Sequence, residues 1–201
     1  MELILVVLLF LGYMSLWGVK RRMQKKSSGI DPEVIGSSTT PSQRFFNAMT
    51  KVLTAYIVFM MAAHASGIQY YSLFSRFVPL ERTVVDIVGF LLGSIGLALC
   101  GYAQIKMGLS WRVGIDEERR TALVTTGLYR YIRNPTYLGL FILCAGVWLI
   151  WPTWTIALFG LVFYLMLEVQ VRCEEEFLLR VHGEFYREYL QDTKRYIPKI
   201  Y

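Results

Sequence analysis

Apolar and polar segments alternate along this chain in blocks far longer than those of a soluble domain. Five apolar blocks are expected to cross a membrane, and they cover residues 2–17, 45–65, 84–105, 137–150 and 153–171. About 20 consecutive apolar residues span the hydrocarbon core of a bilayer as an α-helix. The pattern therefore predicts an all-α, polytopic integral membrane protein with about five transmembrane helices.

A basic cluster sets the expected orientation of these helices. It follows the first apolar block directly and consists of Lys20, Arg21, Arg22, Lys25 and Lys26. A secretory signal peptide carries its positive charges before the apolar block, so residues 2–17 are expected to stay in the membrane. By the positive-inside rule the cluster lies in the cytoplasm, which places the N-terminus outside and the C-terminus inside. The outer loop then carries an aromatic belt of Tyr70, Tyr71, Phe74 and Phe77.

The last two apolar blocks predict a C-terminal helical hairpin. The segment Trp151-Pro152-Thr153-Trp154 separates them and is typical of a tight turn at the outer membrane interface. From Glu175 onward, apolar residues recur at helical spacing between charged ones. This spacing predicts an amphipathic C-terminal helix that lies on the membrane surface or covers a site.

Glycines in the third apolar block predict close helix packing. Gly89, Gly93 and Gly96 lie within the apolar run, and Gly89-x-x-x-Gly93 is the small-residue pattern of membrane helix interfaces. They superficially resemble a nucleotide-binding loop, but no strand precedes them. We therefore interpret them as packing residues.

Composition removes several classes of function. Hydrophobic residues make up 55% of the chain and charged residues 18%, which agrees with a membrane protein. The net charge of +6 belongs to clusters beside apolar blocks, where it orients the helices and contacts anionic lipid, rather than to a nucleic-acid surface. The three cysteines and two histidines show no metal-ligand spacing, so no metal site is expected.

Two polar clusters flank the predicted hairpin. Residues 127–139, Gly-Leu-Tyr-Arg-Tyr-Ile-Arg-Asn-Pro-Thr-Tyr-Leu-Gly, precede and open its first helix, and residues 172–176, Arg-Cys-Glu-Glu-Glu, follow its second. A hairpin returns its end to the side where it began, so the two clusters are expected to meet. Polar groups at a membrane edge are costly to desolvate unless they face a ligand or each other. The arrangement predicts a small-molecule site at the cytoplasmic face.

The side chains of these clusters allow two interpretations. Glu168 lies inside an apolar block, needs a partner, and has Arg172 one turn away. Together with Glu175 and Glu176 these residues form either an ion-pair ladder or a site for a zwitterionic or cationic ligand.

The aromatic residues of the first cluster also allow two interpretations, and its turn adds a possible ligand site. Tyr129 and Tyr137 are either interface anchors or residues that stack on a base or face a sulfonium. The free N–H groups at the Asn134-Pro135 turn would suit a carboxylate. Residues alone therefore indicate a membrane enzyme or carrier with a polar cytoplasmic site.

Residues 123–139 resemble the signature of the isoprenylcysteine carboxyl methyltransferase family. The tail from Arg172 to Pro198 resembles the second block of that family, and Gly108-Leu109-Ser110-Trp111-Arg112 adds a third match. The resemblance covers about the C-terminal half of the chain. It implies a cofactor-binding and catalytic half, residues 106–201, behind three N-terminal spans in residues 1–105.

The resemblance also implies a reaction and its residues. The family binds S-adenosylmethionine without a Rossmann domain, releases S-adenosylhomocysteine, and methylates the carboxylate of a prenylated cysteine or a similar lipid-borne acceptor taken from the bilayer. Arg172 would hold the substrate carboxylate, and Glu176 the cofactor ammonium. The cofactor-binding positions that carry over are Leu123, Val124, Tyr129, Asn134, Pro135, Thr136, Tyr137 and Glu176.

One position departs from the family pattern. The family often has histidine where this chain has Asn134, which cannot titrate. A substrate carboxylate is already ionised at neutral pH, so its methylation needs no general base.

Two other functions fit part of this pattern. NADPH-dependent sterol reductases have a similar C-terminal block, with an ending like residues 195–201, although they are much longer. A membrane scaffold whose charged clusters are internal ion pairs would need no ligand. The cofactor that the protein binds separates the three.

Overall fold

The computed structural model describes residues 1–38, 40–66, 76–117 and 119–200. In this part of the chain the regular structure is helical, with isolated β-bridges and no strand. Six α-helices follow one another: α1 (Glu2–Ser28), α2 (Pro41–Ala65), α3 (Thr83–Met107), α4 (Pro135–Ile150), α5 (Trp154–His182) and α6 (Glu184–Asp192). The predicted all-α class is confirmed. Of the predicted aromatic belt, Tyr70, Tyr71 and Phe74 lie outside the described residues.

The protein is a multi-pass membrane protein. Helices α1, α2, α3 and α5 are long and apolar enough to cross a bilayer. The predicted fourth span, α4, is apolar but has only 16 residues. That length corresponds to about 24 Å, shorter than the roughly 30 Å of a bilayer core. Pro135 at its first turn and the Trp151-Pro152 segment at its end limit α4 to this length.

The end of the hairpin differs from the prediction. Helix α5 continues without a break from the predicted span, which ends at residue 171, to His182. The predicted start of an amphipathic helix near Glu175 is therefore wrong. Residues 171–182 contain no glycine or proline, and α5 ends at Gly183, whose φ of 56° lies in the left-handed region. The amphipathic helix exists, but it is the short α6, which begins at Glu184.

Glycines bring α3 and α4 into backbone contact, as predicted from the spacing of glycines in α3. A Cβ atom on Gly96 would lie 2.5 Å from the carbonyl oxygen of Gly139, and one on Gly89 would lie 2.7 Å from that of Gly146. Gly93 instead faces Leu9 of α1. The matching glycines of α4, which the sequence analysis did not single out, complete the interface.

One end of the bundle carries most of the basic residues. It contains the C-termini of α1, α3 and α5 and the N-terminus of α4, and we call it the basic end. Of the 21 lysines and arginines, Arg76 and Arg82 belong to the opposite end. There Arg76 forms an ion pair with Glu2, and Trp151 packs with Val6 in the core. The charge distribution agrees with the positive-inside pattern.

Candidate functional site

A cavity of about 870 Å³ lies between α1, α2, α4 and α5 and opens toward the basic end. Ligand sites usually enclose about 300–1,000 Å³, so this cavity has room for a large ligand or for two smaller ones. Near the basic end its lining is polar and includes Arg133, Asn134 and Glu174. Deeper between the helices it is apolar, with Leu9 of α1 and Phe159 of α5 among the lining residues.

The loop that follows α3 forms one wall of the polar part. Gln24 of α1 holds this loop, because its Nε2 donates to the carbonyl oxygens of Leu109 and Trp111 at 3.1 and 2.9 Å. Arg112 forms an ion pair with Asp116 at 3.3 Å, with both side chains largely buried. The Gly108–Arg112 motif is therefore held at the cavity mouth by α1.

The C-terminal tail pairs with the turn that precedes α4. The N–H groups of Arg133 and Asn134 donate to the carbonyl oxygens of Lys194 and Arg195 at 2.7 and 3.0 Å. The sequence predicts free N–H groups at the Asn134-Pro135 turn. The N–H group of Asn134 is not free, because it donates to the tail. The prediction missed this pairing, since it joins segments about 60 residues apart in sequence.

Glu175 connects the same elements through charge. It accepts from Arg133 at 3.1 Å and from Arg195 at 2.8 Å, and the side chain of Glu175 is 13% exposed. Arg133 also donates to the carbonyl oxygen of Leu190. Two arginines on one buried carboxylate hold the tail, the turn and α5 together beside the cavity.

A chain of hydrogen bonds crosses the polar part of the cavity. Tyr137 of α4 donates to Glu174 of α5 at 2.6 Å, and Gln170 donates to the same carboxylate oxygen at 2.9 Å. Gln43 of α2 donates to Gln170 at 2.9 Å. These bonds set the register of three helices at one level of the bundle, and they confirm that the two predicted polar clusters meet.

Tyr129 closes the cavity from the side of α3. Its hydroxyl group donates to the carbonyl oxygen of Ala103 at 3.5 Å and also bonds to the side chain of Thr136. Burial raises the pKa of Tyr129 well above its usual value. Tyr189 of α6 donates to the carbonyl oxygen of Tyr129, and burial raises its pKa to about 12. Both phenols therefore remain protonated hydrogen-bond donors at neutral pH.

Two polar atoms of the cavity lining are buried without a hydrogen-bond partner among the described residues. They are the amide oxygen Oε1 of Gln104 and the amide nitrogen Nδ2 of Asn134. An unsatisfied buried polar group costs about 1–3 kcal/mol. A ligand that offers one donor and one acceptor would satisfy both, which is a property expected of a binding site.

The structure brings together most of the residues that the sequence predicted for the cofactor. Those that line the cavity are Leu123, Val124, Tyr129, Asn134, Thr136 and Tyr137. Pro135, Arg172 and Glu176 are absent from the lining. Arg172 forms the predicted ion pair with Glu168, and its side chain is 54% exposed. The ligand roles assigned to Arg172 and Glu176 stay predictions.

The sequence analysis missed several residues of the lining. Glu174, Arg133 and Gln104 face the cavity, as do Tyr186 and Tyr189 of α6. Glu174 and Arg133 belong to the two clusters recognised in the sequence, but the direction in which each side chain points depends on how the helices pack. Gln104 is a polar residue in a predicted membrane span, and this position could have indicated that it faces a site.

A bundle of membrane helices with a cavity that is polar at one end and apolar in its depth defines a class of membrane protein with room for a small or lipid-like ligand. The sequence model of a family described as "Phospholipid methyltransferase" matches residues 84–184, half of the chain. The chain belongs to this family.

Curated relatives point to a narrower group. The chain is 30% identical over 116 residues to the protein-S-isoprenylcysteine O-methyltransferase of Schizosaccharomyces pombe, which covers 56% of this chain and 48% of the relative. It is 33% identical over 124 residues to a probable protein-S-isoprenylcysteine O-methyltransferase of Oryza sativa subsp. indica, covering 60% and 64%. The chain thus spans less than two thirds of the length of these relatives.

A solved structure shares the fold. It is the eukaryotic intramembrane Ras methyltransferase, an isoprenylcysteine carboxyl methyltransferase, with a TM-score of 0.59 and 20% identity. The match covers 98% of this chain and 68% of that one. The resemblance seen in the sequence to the isoprenylcysteine carboxyl methyltransferase family is confirmed.

Proposed function

We propose that this protein is an intramembrane methyltransferase. It transfers a methyl group from S-adenosylmethionine to the carboxylate of an isoprenylated cysteine, or of a similar lipid-borne acceptor, at the cytoplasmic face. The observation that carries the proposal is the single cavity, because it joins a polar part beside Arg133 and Glu174 to an apolar part between the helices. A polar cofactor and an apolar acceptor would meet where the two parts join.

The polar part fits the cofactor. Gln104 and Asn134 offer an unpaired acceptor and an unpaired donor, and Tyr129 and Tyr137 add aromatic surface beside them. A sulfonium is favoured by aromatic faces, and an ammonium by a nearby carboxylate such as Glu174. The residues proposed to hold the cofactor are Leu123, Val124, Tyr129, Asn134, Pro135, Thr136, Tyr137 and Glu176.

The apolar part fits a long hydrocarbon chain. Along α4 the lining extends from Tyr137 to Val147, and along α1 it extends from Trp17 to Val6. Ten residues of α-helix correspond to about 15 Å. An acceptor chain that enters from the bilayer would bury its length against the apolar residues of α1 and α4.

When bound, S-adenosylmethionine supplies an electrophilic methyl group. The protein would hold the two reactants in line and exclude water from the site. Both effects lower the barrier to methyl transfer. No side chain needs to remove a proton, because the acceptor carboxylate is ionised at neutral pH. Asn134 then has only to donate a hydrogen bond, which agrees with its unpaired amide nitrogen.

Two arginines are candidates for holding the acceptor carboxylate. Arg172 has this role by resemblance, with Glu176 facing the cofactor ammonium, although both lie on the outer side of α5. Arg133 is a guanidinium that lines the cavity itself. A planar guanidinium can grip a carboxylate at two points. In Arg133 the Nε and Nη1 groups already donate to Glu175 and to Leu190, which leaves Nη2 for an acceptor.

Ligand binding tests the proposal against its alternatives. S-adenosylhomocysteine should raise the melting temperature of the purified protein in detergent, because a ligand that binds only the folded state stabilises it. A shift with NADPH instead would favour a reductase, and no shift with either would favour a scaffold. Transfer of a radiolabelled methyl group to N-acetyl-S-farnesylcysteine, but not to phosphatidylethanolamine, would establish the acceptor class.

A further inference from the structure

Helix α2 presents a polar stripe to the cavity. The stripe consists of Asn47, Thr50, Lys51 and Thr54, all of which line the cavity. Their spacing of three or four residues places them on one side of the helix. The other side carries exposed apolar residues such as Val52 and Phe59, which face lipid. A cavity that binds only hydrocarbon would not need polar side chains in its wall.

Lys51 is an exposed residue near the middle of α2. The hydrogen bond between Gln43 and Gln170 marks the polar level of α2 near the basic end. Lys51 follows Gln43 by eight positions, which corresponds to about 12 Å along the helix axis. A charged side chain at this level of a spanning helix is costly in a bilayer, and such residues usually mark a substrate or ion pathway.

The groups around Lys51 leave its charge uncompensated. The hydroxyl groups of Thr50 and Thr54 donate to carbonyl oxygens of their own helix. Throughout the described residues, Lys51 has no hydrogen bond and no ion pair. An ammonium in such surroundings needs an anion, and the protein does not supply one.

The position of Lys51 on the helix shows where that anion would be met. Lys51 lines the cavity and is also exposed, and Val52, the next residue, is 58% exposed on the lipid side. Lys51 therefore lies at the margin of α2 where the cavity and the bilayer meet. Its flexible four-carbon stem lets the ammonium follow an anionic group over some distance.

We propose that Lys51 binds the anionic oxygen group, carboxylate or phosphate, of a lipid-borne acceptor as it passes sideways from the bilayer into the cavity. The inference rests on the proposed function for the identity of the molecule as an acceptor. Lys51 acts in capturing the acceptor and not in the transfer itself. An ion pair formed on the way in raises the association rate of the acceptor. Its loss therefore raises the KM for the acceptor and leaves kcat nearly unchanged when the bound acceptor reacts faster than it dissociates.

The test compares Lys51→Met, Lys51→Arg and the control Arg44→Met. Arg44 is an exposed charge on the same helix, nearer the basic end and outside the cavity lining. Lys51→Met should raise the KM for N-acetyl-S-farnesylcysteine by about tenfold or more, the loss expected for one charge-assisted hydrogen bond. The KM for S-adenosylmethionine should not change. Lys51→Arg should keep most of the affinity, and Arg44→Met should behave as the wild type.

Direct binding keeps this test separate from the enzyme assay. A fluorescent farnesylcysteine carboxylate should associate with the wild type faster than its neutral amide, and Lys51→Met should remove that preference. Competition by phosphatidic acid or by unlabelled N-acetyl-S-farnesylcysteine distinguishes phosphate from carboxylate as the preferred group. Equal KM values and equal binding for Lys51→Met and Arg44→Met would overturn the inference while leaving the methyltransferase activity standing. Carboxylate preference without methyl transfer would overturn the proposed function alone.

Discussion

Glu174 and Glu176 lie two positions apart on α5 but face different surroundings. Each residue of an α-helix is rotated by about 100° from the one before it, so two steps turn a side chain to the opposite side. Glu174 therefore lines the cavity, while Glu176 is exposed on the outer side of the helix. A run of three glutamates predicts that some of them face the site, and the packing of α5 decides which.

Tyr137→Phe tests the hydrogen bond at the centre of the site. The change removes the hydroxyl group that donates to Glu174 and leaves that buried carboxylate with Gln170 alone. We expect S-adenosylhomocysteine to bind more weakly by about 1–3 kcal/mol, the usual loss for a buried polar partner. Isothermal titration calorimetry measures it. Tyr131→Phe, an exposed tyrosine outside the cavity lining, is the matched control and should bind normally.

Arg172→Lys and Glu176→Gln test the roles predicted by resemblance. If Arg172 holds the acceptor carboxylate, lysine loses the two-point grip, and turnover falls far more than cofactor affinity. Glu176→Gln should instead weaken cofactor binding first. If both residues serve only as an ion-pair ladder, specific activity per folded molecule stays normal and the melting temperature falls. Activity, affinity and melting temperature measured together separate these outcomes.

The glycines of α3 and α4 act as a pair of matching surfaces. Sequence analysis recognised the pattern in α3, because small residues at a spacing of four are typical of membrane helix contacts. It did not show which helix would be the partner. That partner is α4, since Gly139 and Gly146 face Gly96 and Gly89 across the interface. The family match begins at residue 84, near the start of α3, which agrees with α3 and α4 packing as one unit.

Gly96→Ala should destabilise this contact. The new Cβ would lie 2.5 Å from the backbone oxygen of Gly139, which cannot move without shifting α4. Overpacking of this kind costs about 1–3 kcal/mol, so the melting temperature should fall by several degrees. Gly160→Ala provides the control, because nothing lies within 4 Å of its Cβ position and alanine is the better helix former. A normal melting temperature for Gly96→Ala would mean that the two helices are not in backbone contact.

At the scale of the whole molecule, the cavity depends on four helices and on the tail. The polar part needs the turn before α4, the end of α5 and residues 193–196, which meet through Glu175 and through backbone hydrogen bonds. The apolar part needs α1 and α2, which precede the residues matched by the family model. The proposed division at residue 105 therefore separates stretches of sequence, while both sides contribute to one cavity.

The orientation of the whole molecule is a prediction that labelling can check. After Cys100, Cys144 and Cys173 are replaced by serine, single cysteines are introduced as Ser37→Cys at the basic end and Val78→Cys at the opposite end. Val78 is 73% exposed, so a cysteine there is accessible. In intact cells a membrane-impermeant maleimide should label Val78→Cys and spare Ser37→Cys. The reverse pattern would place the polar part of the cavity outside the cell.

The sequence by itself determined the helical class, the hairpin, the meeting of the two polar clusters and the pairing of Glu168 with Arg172. These features depend on composition and spacing within short stretches, because a bilayer forces each spanning segment to satisfy its own backbone. Tertiary structure alone decided that Glu174 and Glu175 face inward, that the tail takes the N–H of Asn134, and that Lys51 lies at the margin of the cavity. Each of these depends on how a helix is rotated against partners far away in the chain, and no local pattern contains that rotation.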